Sequence, residues 1–134
     1  MPELPEVETI KRQLEAAVVG KTIGRVEVLN PKTFEGDPMT VAGKKIIGAA
    51  RTAKVLEIRL EDNVGLFLHF KLNGQLLLET SEKQFDRRFT RVILHFTDGT
   101  KLLFNDSRKF AWMRVVDDYR REESLVIEPF KGIG

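Results

Sequence analysis

A single helical stretch, followed almost to the end of the chain by short β-branched runs, is the pattern that most narrows what this sequence can fold into. From Pro5 to about Val19, the apolar residues Val7, Ile10, Leu14 and Val18 recur every three or four positions, with charged residues between them and Gly20 as a stop. Glu3, Glu6 and Glu8 crowd the start while Lys11 and Arg12 come later, the order a helix dipole favours. After Gly20, residues Ile23, Val26 and Val28 open an extended segment that Asn30-Pro31 breaks. Residues 44–60 read as one long or bent strand, with Val55, Ile58 and Leu60 on its apolar side. Glu61-Asp62-Asn63 is a turn, and the nearly continuous apolar run 64–70 has the texture of a strand buried on both faces. Asn73-Gly74 is a tight-hairpin signal leading into residues 75–78; Asp98-Gly99 is a second, joining 92–96 to 101–104. Asn105-Asp106-Ser107 interrupts the pattern before Phe110, Trp112 and Val115, and the polar stretch 117–124 reads as a short helix. One long N-terminal helix and about eight short strands predict an α+β, mainly β domain: a two-layer antiparallel β-sandwich flanked by helices, preferred to a barrel.

Composition sets limits on what such a domain can do. At 134 residues the chain is the size of one domain with a real core, expected to span 1–134 without a linker or internal repeat. The closing Lys131-Gly132-Ile133-Gly134 reads as the start of a loop, which predicts that the chain is part of something longer. An apolar fraction of 42% and a charged fraction of 31% fit a soluble globular protein, and no run approaches the length of a membrane span. With no secretory signal pattern at the start, a cytosolic protein with no membrane partner is expected. The absence of cysteine removes disulfides, thiolate nucleophiles and Cys-based zinc sites, and two histidines alone make a poor metal site, so no metal is expected in this chain. Net charge is only +2. Between Glu82 and Lys109, however, seven basic residues (Lys83, Arg87, Arg88, Arg91, Lys101, Arg108, Lys109) face four acidic ones (Glu82, Asp86, Asp98, Asp106). That excess is either a phosphate-facing surface or an ordinary solvated face.

The N-terminus carries the most chemistry. Removal of Met1, which a small second residue such as proline permits, leaves Pro2 with a free secondary amine. An α-amino group titrates near 7.7–8.0, against about 10.4 for lysine, so far more of it is neutral and nucleophilic at physiological pH. The positive end of a helix disfavours an ammonium and favours the carboxylate of Glu3, while Glu3 itself attracts the ammonium. An amine beside a carboxylate is a sensible pair for attack and proton transfer, and a secondary amine attacking a sugar carbon gives an iminium directly. Proline and acidic residues are equally good as a plain helix start.

The segment PELPEVET at residues 2–9 resembles the N-terminal signature of formamidopyrimidine-DNA glycosylases, with Leu4 closer to them than to the related endonuclease VIII group, where glycine is typical. The similarity continues in order through ArgThrAlaLys at 51–54, HisPheLysLeuAsnGly at 69–74, PheThrAspGlyThr at 96–100 and AsnAspSerArgLysPhe at 105–110. The resemblance implies a bifunctional glycosylase and abasic-site lyase of base-excision repair that removes oxidised purines such as 8-oxoguanine and formamidopyrimidines. It implies Pro2 as nucleophile at C1′ of the damaged nucleoside, Glu3 as general acid/base, and a Schiff base that leads to β,δ-elimination. Glu6, one turn from Glu3, is a supporting residue by the same resemblance, although helix-start electrostatics also explains it. Lys54 matches the family's catalytic-site lysine on a phosphate beside the lesion, and His69 a histidine in the same neighbourhood. Arg91 belongs to the expected DNA-binding set. Leu72, next to the Asn73-Gly74 turn, is placed to fill the gap left by an extruded base. Arg108 and Phe110 match an arginine that bonds the widowed base and a phenylalanine that wedges the stack.

Three positions depart from the family pattern: Leu72 where methionine is common, Phe89 where histidine is common, and Ala111 where glycine is usual. None touches Pro2 or Glu3. Family members continue into a helix–two-turn–helix region and usually a zinc finger, which lie outside these residues; no cofactor is therefore expected in this chain. The expected partner is double-stranded DNA carrying a damaged purine or an abasic site, bound by a monomer, in a bacterium at the nucleoid. Weak DNA binding and weak or no glycosylase activity are expected of the domain alone. Two other readings compete: a non-catalytic DNA-binding module of the same fold, which a retained Met1 would produce, and a β-sandwich that binds protein partners through exposed apolar tips.

Overall fold

The computed structural model describes residues 4–120. Helix α1 (Leu4–Val18) buries Val7, Leu14 and Val18, the stripe the spacing predicts, and Ile10 packs beside them. On its outer side Glu8 meets Arg12 at 3.0 Å and Lys11 at 3.5 Å, which is ordinary surface pairing. Among the described residues nine strands follow: β1 (Ile23–Val28), β2 (Phe34–Glu35), β3 (Ile46–Thr52), β4 (Val55–Leu60), β5 (Gly65–His69), β6 (Gln75–Glu79), β7 (Thr90–Phe96), β8 (Lys101–Asn105) and β9 (Trp112–Val116). They form two layers, a four-stranded sheet in the order β1-β7-β8-β6 and a five-stranded sheet in the order β2-β9-β5-β4-β3. The core between them is made by alternate residues: Leu56, Ile58, Leu60, Leu66, Leu68 and Met113 from one sheet, Val92, Leu94, Leu102 and Phe104 from the other. The two-layer sandwich expected from the sequence is the fold that forms, with α1 the only α-helix of any length among the described residues.

The structure corrects four local expectations. Residues 44–60 are two strands, because Thr52 pairs with Val55 across a two-residue turn with Ala53 at φ 53°. No Gly or Asn marks that turn, so the sequence carried no signal for it. Val55 does not share a face with Ile58 and Leu60: it packs with Phe67 and Val116 on the outer side of the five-stranded sheet, beside Trp112 and Tyr119. Asn73-Gly74 is not a hairpin, since β5 and β6 lie in different sheets and the segment crosses between layers. The left-handed residue there is Lys71, at φ 54°; Gly74 is needed because a Cβ would lie 2.5 Å from the carbonyl oxygen of Phe70. Finally, β2 runs parallel to β9, an exception to the antiparallel pattern that two residues could not announce. The run 64–70 matches its expectation: β5 is buried along its whole length between β4 and β9. Of the helix expected over 117–124, Tyr119 and Arg120 begin a helical turn, and the remainder lies outside the described residues.

One row of paired residues in each sheet locates the end of the sandwich that matters. Val55, His69 and Trp112 are cross-strand neighbours where β4 starts, β5 ends and β9 starts. Gln75, Asn105 and Thr90 form the equivalent row in the other sheet. Helix α1 runs antiparallel to β3, as its two ends show: Gly20 N–H donates to the Ile46 carbonyl at 2.8 Å, and Arg51 Nε donates to Glu8 at 2.8 Å. The helix start therefore lies at the same end as these two rows.

Candidate functional site

Three connections converge at that end: the 52–55 turn, the 70–74 crossover and the loop 106–111. The turn carries Lys54, half-buried and held close by a second bond of Arg51, whose guanidinium donates to the Ala53 carbonyl at 3.3 Å. The crossover carries Leu72, which is 61% exposed at its tip although the strand before it is buried throughout. The loop carries Phe110, 60% exposed, with the Arg108 guanidinium 5.6 Å from its ring centroid. Two large apolar side chains thus project from neighbouring loops beside lysines and an arginine.

His69 is the buried member of the group. Its Nδ1 accepts the Lys71 backbone N–H at 3.0 Å, which leaves the proton of the neutral ring on Nε2. Burial, and then the positive charges of Lys71 and Lys54, hold its pKa down to about 4. The ring lies 5.9 Å from that of Trp112, its cross-strand neighbour. At neutral pH His69 is therefore a buried neutral ring beside two lysines, with its proton on Nε2.

Asp106 organises the loop, a role that sequence reading missed. Fully buried, it accepts the backbone N–H of Arg108 at 3.0 Å on Oδ1 and that of Ala111 at 2.7 Å on Oδ2. Its own N–H donates to the Phe89 carbonyl at 2.9 Å, and its carbonyl accepts from Arg91 Nε at 2.9 Å. Arg91 thus braces the loop that presents Arg108 and Phe110. Asp followed two residues later by a chain reversal is the Asx-turn signal that could have been read in Asn105-Asp106-Ser107.

The basic stretch divides. Arg87 is spent on buried Glu79, with contacts of 2.5 and 2.7 Å, and Lys101 approaches the same carboxylate at 3.9 Å. Asp98, at the far turn of the β7–β8 hairpin, pairs with Lys21. Arg88, Arg91, Arg108 and Lys109 stay at the end with the three connections. Glu6 is exposed on the first turn of α1. Pro2 and Glu3 lie outside the described residues. Among the described residues no group of three or more His, Cys, Asp or Glu is placed to hold a metal ion, and no helix is long and apolar enough to cross a membrane.

The family model of the formamidopyrimidine-DNA glycosylase N-terminal domain matches residues 1–113. The formamidopyrimidine-DNA glycosylase of Lactobacillus helveticus is 42% identical over 120 residues, covering 87% of this chain and 43% of that protein. That of Pelotomaculum thermopropionicum is 35% identical over 141 residues, covering 98% of this chain and 51% of its own length. The chain thus spans about half the length of the curated relatives it matches. Among solved structures, the Lactococcus lactis enzyme non-covalently bound to DNA with an abasic site superposes with a TM-score of 0.78 at 29% identity, covering 86% of this chain and 45% of that one. The wild-type Lactococcus lactis protein with DNA containing an oxidised pyrimidine gives a TM-score of 0.82 at 29% identity, over 92% of this chain and 48% of that one.

Proposed function

The chain belongs to the formamidopyrimidine-DNA glycosylase family, and from that premise we propose that it is the catalytic part of a bifunctional DNA glycosylase and abasic-site lyase acting on oxidised purines. The observation that carries the reading is the convergence of Lys54, His69, Leu72, Arg108 and Phe110 on the end of the sandwich where α1 begins. In this reading the amine of Pro2, freed of Met1, attacks C1′ of the extruded nucleoside. The base leaves, and Glu3 handles the protons. The nitrogen lone pair then expels O4′ from C1′, with Glu3 protonating that oxygen, and the opened sugar is held as an iminium; loss of a C2′ proton expels the 3′ phosphate, and loss of the C4′ proton then expels the 5′ phosphate. The amine supplies this chemistry without a cofactor.

The remaining side chains hold the substrate. Lys54 and the Nε2–H of His69 take the phosphates next to the lesion, one by charge and the other by hydrogen bonding. Leu72 and Phe110 occupy the gap in the stack, and Arg108 bonds the base left without a partner. Leu72 is an apolar wedge that stands without a buried role in the sandwich. Its grip on DNA is expected to be steeply salt-dependent, because the contacts proposed are to phosphates.

Borohydride trapping on a duplex with one abasic site tests the reading. Unblocked protein should form a covalent adduct of the mass of chain plus DNA, and Pro2→Gly and an N-terminally blocked form should form little or none. An unblocked wild type that binds the duplex but never traps would reduce this chain to a non-catalytic DNA-binding module.

A further inference from the structure

Arg51 joins two parts of the site that no strand pairing connects. It stands on β3 opposite Leu56, while its neighbour Thr52 stands opposite Val55 on the other face of the sheet. From there its Nε donates to Glu8 Oε1 on α1 at 2.8 Å, across 43 positions of sequence, and its Nη1 donates to the Ala53 carbonyl at 3.3 Å. Glu8 lies just over one helical turn from Leu4, where α1 begins two residues after Pro2. Ala53 directly precedes Lys54 and is left-handed, at φ 53°, a conformation that residues other than glycine rarely hold unless their surroundings impose it. Both sides of the turn are held: Arg51 takes the Ala53 carbonyl, and Thr52 Oγ1 donates to the fully buried carboxylate of Glu57 at 2.7 Å. Glu8 already has a partner within the helix, since Arg12 Nε reaches its Oε2 at 3.0 Å. The bond to Arg51 is therefore additional to the surface pairing that α1 makes for itself.

We propose that Arg51 is a positioning residue, a strut that fixes the turn bearing Lys54 against the helix start that follows Pro2, and so sets the spacing between the attacking amine and the phosphate beside the lesion. A nucleophile must stand within about 3–3.5 Å of the atom it attacks, and a displacement of about 1 Å can cost about 100-fold in rate. Lys54 holds the phosphate and α1 carries the amine; without the strut each still acts, but the distance between them is no longer fixed. Arginine suits the task because its planar guanidinium makes two bonds in set directions at once, which an ammonium on a flexible stem does not. Its charge is already paired with Glu8, unlike a cation kept for phosphate. This role rests on the proposed lyase chemistry.

The test is single-turnover borohydride trapping of the full chain on a saturating duplex with one abasic site, with affinity measured across salt for the same proteins. Arg51→Ala should trap about tenfold more slowly than wild type while the salt slope of affinity stays unchanged, because Lys54 still reaches its phosphate from a loosened turn. Arg51→Lys keeps the charge but not the fork, and should stay slow. Glu8→Ala should be as slow as Arg51→Ala, and the double variant no slower than either single one. Glu8→Gln, which keeps an oxygen for Arg51 Nε, should trap like wild type. Rates are taken where urea unfolding shows each variant folded, and if Arg51→Ala does not fold, the two Glu8 variants carry the comparison. Wild-type rates in Arg51→Ala and Glu8→Ala, full recovery in Arg51→Lys, additive losses in the double variant, or a salt slope lowered by about 1 in Arg51→Ala would overturn the strut and leave the lyase reading in place. A wild type that never traps would remove the lyase reading, and the strut with it.

Discussion

His69 and Glu79 are both buried and ionisable, and their opposite chemistry separates two acid transitions. The pKa of His69 is held down to about 4 by burial and the nearby lysines, against about 6.5 in an unfolded chain. Between those values the unfolded state binds the extra proton, so stability is fully present above pH 6.5 and falls as pH drops toward 4. Glu79 is lowered to about 2, chiefly by its hydrogen bonds from Arg87. Its contribution is fully present above the unfolded carboxyl value near 4.3 and is lost as pH falls toward 2. Urea unfolding of the wild type should therefore show stability declining by a few kcal/mol from pH 7 to pH 4, with a second loss below. His69→Gln should flatten the first decline and leave the second, whereas Glu79→Gln should do the reverse. An unchanged slope between pH 6.5 and 4 in His69→Gln would mean that His69 is not held neutral by burial. The sequence marks His69 as a candidate; its tautomer depends on the Lys71 N–H that the folded crossover brings to Nδ1.

At the scale of elements, the 70–74 crossover decides how the site is built. A hairpin at Asn73-Gly74 would have kept Leu72 and the strand after it in one sheet. Instead the chain leaves the five-stranded sheet after His69 and enters the four-stranded one at Gln75, so Leu72 stands at a tip that bridges both layers. Gly74 permits this by letting its N–H reach the Phe70 carbonyl at 2.8 Å with no Cβ in the way. Gly74→Ala should destabilise the fold by about 1–3 kcal/mol, as an added methyl in a filled site does. It should also weaken binding to an abasic duplex more than its loss of stability explains, because the tip itself must move. Denaturant midpoints, and affinities measured well below the midpoint, check both; wild-type values for each would mean that the crossover tolerates the methyl and is not a constraint. The dipeptide Asn-Gly had the composition of a hairpin turn, and it misled because glycine serves close approach as readily as positive φ. The 52–55 turn failed in the opposite sense. Ala53-Lys54 carries no turn chemistry, and only the pairing of β3 with β4 forces the reversal.

For the whole molecule, charge is nearly balanced and only its placement can favour a polyanion. Arg87 and Lys101 pair with Glu79, and Lys21 with Asp98, whereas Arg88, Arg91, Arg108 and Lys109 stand together at the loop end. The logarithm of affinity for an abasic duplex should fall linearly with the logarithm of salt, and Lys54→Ala should reduce that slope by about 1. A slope unchanged by the substitution would remove Lys54 from the phosphate contacts. The sequence by itself determined the helix, most of the strands, the two-layer class and the family, because periodicity, turn residues and ordered motifs are local and survive without coordinates. It also named Lys54, His69, Leu72, Arg108 and Phe110 through the family resemblance. Only the tertiary structure decided which sheet each strand joins, that Val55 and Ile58 face opposite ways, and that Asp106 and Arg91 brace the loop. Those facts depend on which strands pair across long separations, and one strand's own pattern of apolar residues is compatible with several partners.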